Sequence, residues 1–195
     1  PINIIVEGVV SRTVRDSAAF YAEAERHYVH PSLPPIGRVM ASGEERQRIG
    51  VCVQHPTGGV CDPEVVAQVE QVARRCEGLG HTVELVPLPV TGQMADDFLL
   101  YWARLAAATN YLGKLAFGSD FDRKLLEPLT YQLSSHYLRR CWRSPAAIHR
   151  LRKFSADYQA LFTGHDLILT PVLATPPAEI GYLGPGLDFD TVFER

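Results

Sequence analysis

The chain has 195 residues, 46% hydrophobic and 21% charged, which is enough apolar material for one or two packed domains. A net charge of −3 and an isoelectric point near 6.2 give no footing for nucleic acid or an anionic membrane surface as partner. No stretch approaches the ~20 consecutive apolar residues that span a bilayer, and the N-terminus lacks the basic-apolar-small pattern of a secretory leader. The first residue is Pro1, which leaves open a processed chain, a tag-cleaved one and a piece of a longer protein. Cys52, Cys61, Cys76 and Cys141 form no CxxC pair, and they read as reduced core thiols of a cytoplasmic protein.

In chain order, Ile4, Ile5, Val6, Val9 and Val10 predict a strand with Gly8 as a break. Thr13 and Asp16 read as a capping box for a helix from Val14 to Tyr28, with Val14, Ala18 and Tyr21 on one face and Glu23, Glu25 and Arg26 on another. Pro31 to Glu45 is too rich in Pro and Gly for a regular element. Arg48 to Val53 predicts a buried strand, and Asp62-Pro63 a helix start with Asp at N-cap and Pro at N1. The stripe of that helix is Val65, Val66, Val69, Val72, Ala73 and Cys76, and Gly78 and Gly80 end it. His81 to Val86 is the next strand, so the unit reads as βαβ with parallel strands and a right-handed crossover.

From Ala95 the pattern turns helical. Phe98 to Phe117 carries Leu99, Trp102, Leu105, Ala106 and Thr109 along its length. Asp122 to Leu138 is a second helix in which Pro128 marks a bend or a new start. A third has Ser144 as N-cap, Pro145 at N1 and Gly164 just past its end. His165 to Thr170 returns to a strand, Pro171 and Pro176-Pro177 stop its pairing, and Gly181 to Arg195 reads as a mobile loop. The fold class is therefore α/β, one domain over 1–195: a strand/helix portion (1–94), a helical insertion (95–164), then a returning strand and C-terminal loop (165–195).

Several groups of residues have types and spacings that could carry chemistry. His27 and His30, with Glu23, have metal-like spacing on a helix but no indicated third ligand, so no metal is expected. His55 to Gly59 contains a glycine pair after a strand, yet lacks both GxGxxG and GK[ST] and reads as a turn; no cofactor is expected. Ser134, Ser135 and His136 are adjacent on a helix and point to different sides, the wrong geometry for a nucleophile and its base. Arg139, Arg140, Arg143, Arg150, Arg152 and Lys153, with Trp142 among them, read as a solvated helix face.

The residues Gly8 to Phe20, GVVSRTVRDSAAF, resemble a segment of the amidase signature family, Gly-hydrophobic-x-x-Arg-Thr-Val-x-Asp-x-Ala, that follows its nucleophile region. Further pieces resemble the family in the same order: Arg48 to Val51, Asp62 to Val65, Gly80 to Glu84, and His165 to Pro171 with the later Pro176-Pro177. The resemblance covers most of the chain. It implies an α/β fold with a mixed sheet flanked by helices, and hydrolysis of small-molecule carboxylic amides by a Ser nucleophile, a bridging Ser in a cis peptide and a Lys base.

In the family those three residues lie upstream of the segment matching Gly8. This chain has no Gly-Gly-Ser-Ser run and no Lys before Lys114, so the resemblance assigns no catalytic residue here. The family's last segment is expected to be absent too. Three origins fit: a fragment, one part of an enzyme whose other segment is a separate chain, or a decayed relative. The chain alone is expected to be inactive. Its contribution to the parent would be sheet and acyl-pocket wall, with Tyr101, Trp102, Thr170 and Pro171 as candidate lining residues because such a pocket needs apolar walls and a few polar groups. The alternative is a non-catalytic binding or assembly module that pairs with the missing amidase segment or a second copy, through an open sheet edge or the basic patch from Arg139 to Lys153.

Overall fold

Strand β1, Arg48–Val51, lies at the centre of a three-stranded parallel sheet. Its sequence continues as Arg-Ile-Gly-Val-Cys-Val, the near-continuous apolar run expected of a strand covered on both faces. Ile49, Val51 and Cys52 are 5%, 3% and 2% exposed. The computed structural model describes residues 2, 4, 8–31, 34–40, 43, 45–55, 59–184 and 186–194. The strand order is β2-β1-β3, with β2 at Thr82–Leu85 and β3 at Leu167–Leu169. Ile49 pairs with Val83 on one side and Leu167 on the other. The ladder continues past the strand ends through Cys52 N–H to the Leu169 carbonyl (3.0 Å) and Val86 N–H to the Val51 carbonyl (2.9 Å).

Helix α2, Pro63–Gly78, is the βαβ crossover read from the sequence. The Asp62 carboxylate accepts from Glu64 N–H at 2.8 Å, and Gly80 takes φ +89° just past the end. Only part of the expected stripe enters the core. Val69 is buried and Ala73 and Cys76 pack beside it on Ile49 and Val51, whereas Val72 is exposed.

The helical portion starts earlier than its apolar run. Helix α3, Gly92–Phe117, begins where the Thr91 hydroxyl accepts from Met94 N–H at 3.2 Å. Its buried face coincides only in part with the residues read along it. Trp102 is exposed and Leu105 half-buried, while Ala103, Ala106, Ala107 and Gly113 are buried with Leu100 and Tyr101. Small residues let a neighbouring helix approach closely, and hydrophobic weight alone does not find them. That neighbour is α4, Pro128–Arg140, whose Leu133 joins Ala103 and Ala106 in a second core.

Pro128 is a new start, preceded by a separate 3-10 turn at Arg123–Leu125. Helix α5, Ser144–Gly164, corrects the expected cap. A 3-10 turn at Cys141–Arg143 runs straight into it, Ser144 is already helical (φ −55°, ψ −42°), and its buried Oγ has no partner among the described residues. Gly164 is its last helical residue.

The C-terminal stretch is not all loop. Asp188 accepts from Thr191 N–H (2.9 Å) and starts the short helix α6, Phe189–Glu194. Phe189 packs on the α3–α4 core and against Phe193, ring centres 4.5 Å apart.

By contact the chain divides into two units, 1 with 3–45 and 2 with 46–195. In the first, α1 (Val14–His27) is capped by the Thr13 hydroxyl, which accepts from Asp16 N–H at 3.1 Å, and it buries no residue. The Glu25 carboxylate accepts from the amides of Ile36 and Gly37 (2.9 and 2.7 Å), folding the proline-rich segment back on the helix. The expected strand is not found among the described residues of this unit. Ile4, Val9 and Val10 are irregular, and Ile5 and Val6 lie outside the described residues.

A Cβ at Gly113 would overlap the Phe121 ring. Gly113→Ala is therefore expected to lower the urea midpoint, although Ala for Gly in a helix interior ordinarily stabilises by about 1 kcal/mol. Circular dichroism during urea unfolding measures this.

Candidate functional site

In a parallel sheet, groups converge beyond the carboxyl ends of the strands. Here β3 runs out into Thr170 and Pro171, and the loop that follows is tied to the start of α2 by Asp62 N–H donating to the Ala174 carbonyl at 2.8 Å. Between α2 and this loop lies a hollow of about 530 Å³. Val65, Val69, Val72, Leu169, Pro171 and Val172 supply its apolar wall, with Gln68 and Thr170 among its few polar groups. Val65 and Val72, read as core from their spacing, face this hollow. A second hollow of about 550 Å³ lies at the end of β1, between Val53, His55, Cys61 and Thr91. Gly59 borders it, but residues 56–58, the rest of the stretch read as a turn, lie outside the described residues.

The four candidate lining residues separate. Thr170 and Pro171 both line the first hollow. Tyr101 is 4% exposed, and its hydroxyl both donates to the Ile2 carbonyl (2.8 Å) and accepts from Ile2 N–H (2.7 Å). Trp102 lies against Phe193, ring centres 6.3 Å apart.

The serine pair is structural. The buried Ser134 Oγ accepts from Asn110 Nδ2 at 3.1 Å, and Ser135 Oγ donates to the Tyr131 carbonyl at 3.0 Å. His136 faces Arg140, 3.4 Å from its Nδ1. Burial, then Arg140, Arg139 and Arg143, hold its pKa below the ordinary value, and the ring bonds to neither hydroxyl. His27 pairs with Glu23 at 3.4 Å. Among the described residues no group of three His, Cys, Asp or Glu is placed to hold a metal ion. Cys52 and Cys61 are buried, but Cys141, grouped on sequence with the core thiols, is exposed in its 3-10 turn.

The basic cluster contains one pairing that its sequence concealed. Arg150 grips the buried Asp97 of α3 through two hydrogen bonds, Nε to Oδ2 at 2.6 Å and Nη2 to Oδ1 at 2.7 Å. Gln93 Nε2 adds a third at 3.1 Å. Asp97 sits 53 residues from Arg150 in an apolar helix, so no local pattern flags it. The pair joins α3 to α5. Lys153 has an ordinary helical partner in Asp157 at 3.2 Å, and Trp142 is exposed.

A small parallel sheet flanked by helices, with an apolar hollow at its carboxyl edge, defines an α/β architecture. The sequence matches the Amidase family over residues 2–194, and the chain belongs to that family. AmiC of Mycobacterium leprae, provisionally named an amidase, is 45% identical over the whole of this chain, which spans 42% of that relative. AmiC of Mycobacterium tuberculosis strain H37Rv is 41% identical, again over the whole chain and 41% of the relative. One subunit of the glutamyl-tRNA(Gln) amidotransferase of Lactiplantibacillus plantarum is 24% identical over 89% of this chain and 41% of its own length. The solved structure of 6-aminohexanoate cyclic dimer hydrolase shares the fold, with TM-score 0.68 and 21% identity over 93% of this chain and 40% of that one. The chain thus spans about four tenths of the length of these relatives. No helix among the described residues is long and apolar enough to cross a membrane.

Removing one partner of the Asp97–Arg150 pair is expected to act asymmetrically. Arg150→Met leaves a carboxylate buried with only Gln93 beside it, whereas Asp97→Asn leaves a half-exposed guanidinium that water can solvate. Thermal unfolding should show the larger fall in Tm for Arg150→Met.

Proposed function

We propose that these residues form one wall of the substrate pocket of a cytoplasmic amide hydrolase acting on small-molecule carboxylic amides. The observation that carries the reading is the family match along the whole chain, combined with an apolar hollow bounded by Thr170 and Pro171. In this reading a Ser–cis-Ser–Lys triad is supplied by residues outside these 195, and the chain alone is inactive. The serine attacks the amide carbonyl carbon, backbone amides hold the oxyanion, and the amine leaves as the acyl-enzyme forms.

The part played by this chain is binding. Val65, Val72 and Pro171 take the apolar side of the substrate out of water. Burying ~100 Å² of apolar surface contributes about 2.5 kcal/mol. The Thr170 hydroxyl gives the wall one hydrogen-bonding group that orients the acyl chain. Tyr101 and Trp102 pack elsewhere, Tyr101 on Ile2 and Trp102 on Phe193, and take no part in this wall. The helical portion at 95–164 serves as an insertion that holds this layer in place.

A chimera tests the proposal: these 195 residues replace the aligned residues of Mycobacterium leprae AmiC, and short-chain 4-nitroanilides are the substrates. The chimera is expected to hydrolyse them. Val72→Asp, which sets a charge in the wall at an already exposed position, should raise KM about tenfold with little change in kcat. The 195-residue chain alone should release no nitroaniline. A folded but inert chimera would overturn the reading, as would hydrolysis by the pure chain that is lost on substituting one of its own residues.

A further inference from the structure

His165 occupies the turn between α5 and β3, and its side chain is only 11% exposed. Each ring nitrogen faces an acceptor: Nδ1 lies 2.9 Å from the Leu161 carbonyl, and Nε2 lies 2.6 Å from Glu84 Oε1 on β2. β2 and β3 are not neighbours, because β1 runs between them. The ring crosses β1 at Gly50, where a Cβ would come within 3.1 Å of His165 Cδ2 and 2.8 Å of Val86 Cγ2. The missing side chain at Gly50 makes the crossing possible.

We propose that His165 and Glu84 form a protonation-gated strap across the sheet, closed while His165 is an imidazolium and released at the Glu84 end when the ring is neutral. The argument is one of donor count. A neutral imidazole has a single N–H, and only the cation donates to both acceptors at once.

On deprotonation one bond is lost, and the two acceptors differ in how easily they give way. The Leu161 carbonyl is fixed in the last turn of α5, where it also accepts from His165 N–H at 3.2 Å. The Glu84 side chain is 62% exposed and swings into water at little cost. The proton therefore stays on Nδ1, and Glu84 leaves.

The charged neighbours are Glu84 from β2, Arg48 from β1 and Asp166 beside the ring, with Arg48 and Asp166 paired at 3.0 Å. The Leu161 and then the Glu84 hydrogen bonds raise the pKa of His165 above its ordinary value, while burial and Arg48 oppose them. The sign follows. The contribution of the strap is complete below the unfolded histidine pKa of about 6.5 and is lost as pH rises through the higher folded value.

Nitrogen-15 NMR of the histidine rings in the 195-residue chain, from about pH 5 to about pH 9, reads both the midpoint and the tautomer. His165 is expected to titrate above the ordinary histidine value, to carry protons on both nitrogens at low pH, and to become the Nδ1–H tautomer at high pH. Glu84→Gln, at an exposed side chain that the fold tolerates, should shift the His165 midpoint downward. It should also flatten the fall of Tm with rising pH. An unchanged midpoint in folded Glu84→Gln would overturn the proposal, and so would an Nε2–H tautomer in the neutral wild-type protein.

Discussion

The two-sided hydrogen bonding of β1 is the constraint on which the rest of the second unit depends. A central parallel strand has no edge to show to water, so both of its faces must be covered and both of its ladders completed. Ile49 and Val51 meet that demand on the α2 side, and Gly50 meets it on the other by leaving room for His165, Val86 and Ile168. Once β1 is fixed, α2 must return across it, and β3 must leave it beside the start of α2. The Asp62–Ala174 hydrogen bond closes that corner, and the hollow at the carboxyl edge is the space that results.

How legible each part was in the sequence depends on whether its cause is local. Asp62-Pro63 and Thr13 announce helix starts because a cap is made by neighbours in the chain. The parallel pairing of β1 and β2 follows from a strand, a helix and a strand joined by short links. Position 144 misled for an equally physical reason. A serine before a proline looks like a cap, but the preceding residues had already entered a 3-10 turn. The buried face of α3 could not be read from hydrophobic weight, because the close approach of α4 rewards small residues such as Ala103 beside Ala106. Asp97 and Arg150 were invisible as a pair, since nothing in a linear pattern connects residues two helices apart. The α6 helix depends on Phe189 finding the α3–α4 core, again a tertiary cause.

Two of the four candidate lining residues border the hollow. Thr170 and Pro171 lie where a strand's carboxyl end meets a loop, and they line the apolar hollow. Tyr101 and Trp102 are large and apolar, but they pack within the helical layer. The residues that bound the hollow on its other side, Val65 and Val72, were visible all along as part of a helix stripe. A stripe of that kind is shared between core and pocket, and only the positions of Val69, Ala73 and Cys76 on β1 decide which valines remain outside. In the proposed reading, membership of the amidase family gives this hollow its role, an apolar wall that holds an amide away from water.

The central claim is that the carboxyl-edge hollow receives the apolar part of an amide. Methyl NMR of the valine and leucine side chains during titration with benzamide tests it most directly. Saturable shifts at Val65, Val72, Leu169 and Val172 are the expected result. Saturable shifts confined to the α3–α4 layer around Leu99, Leu129 and Leu133, or none at all around the hollow, would contradict it.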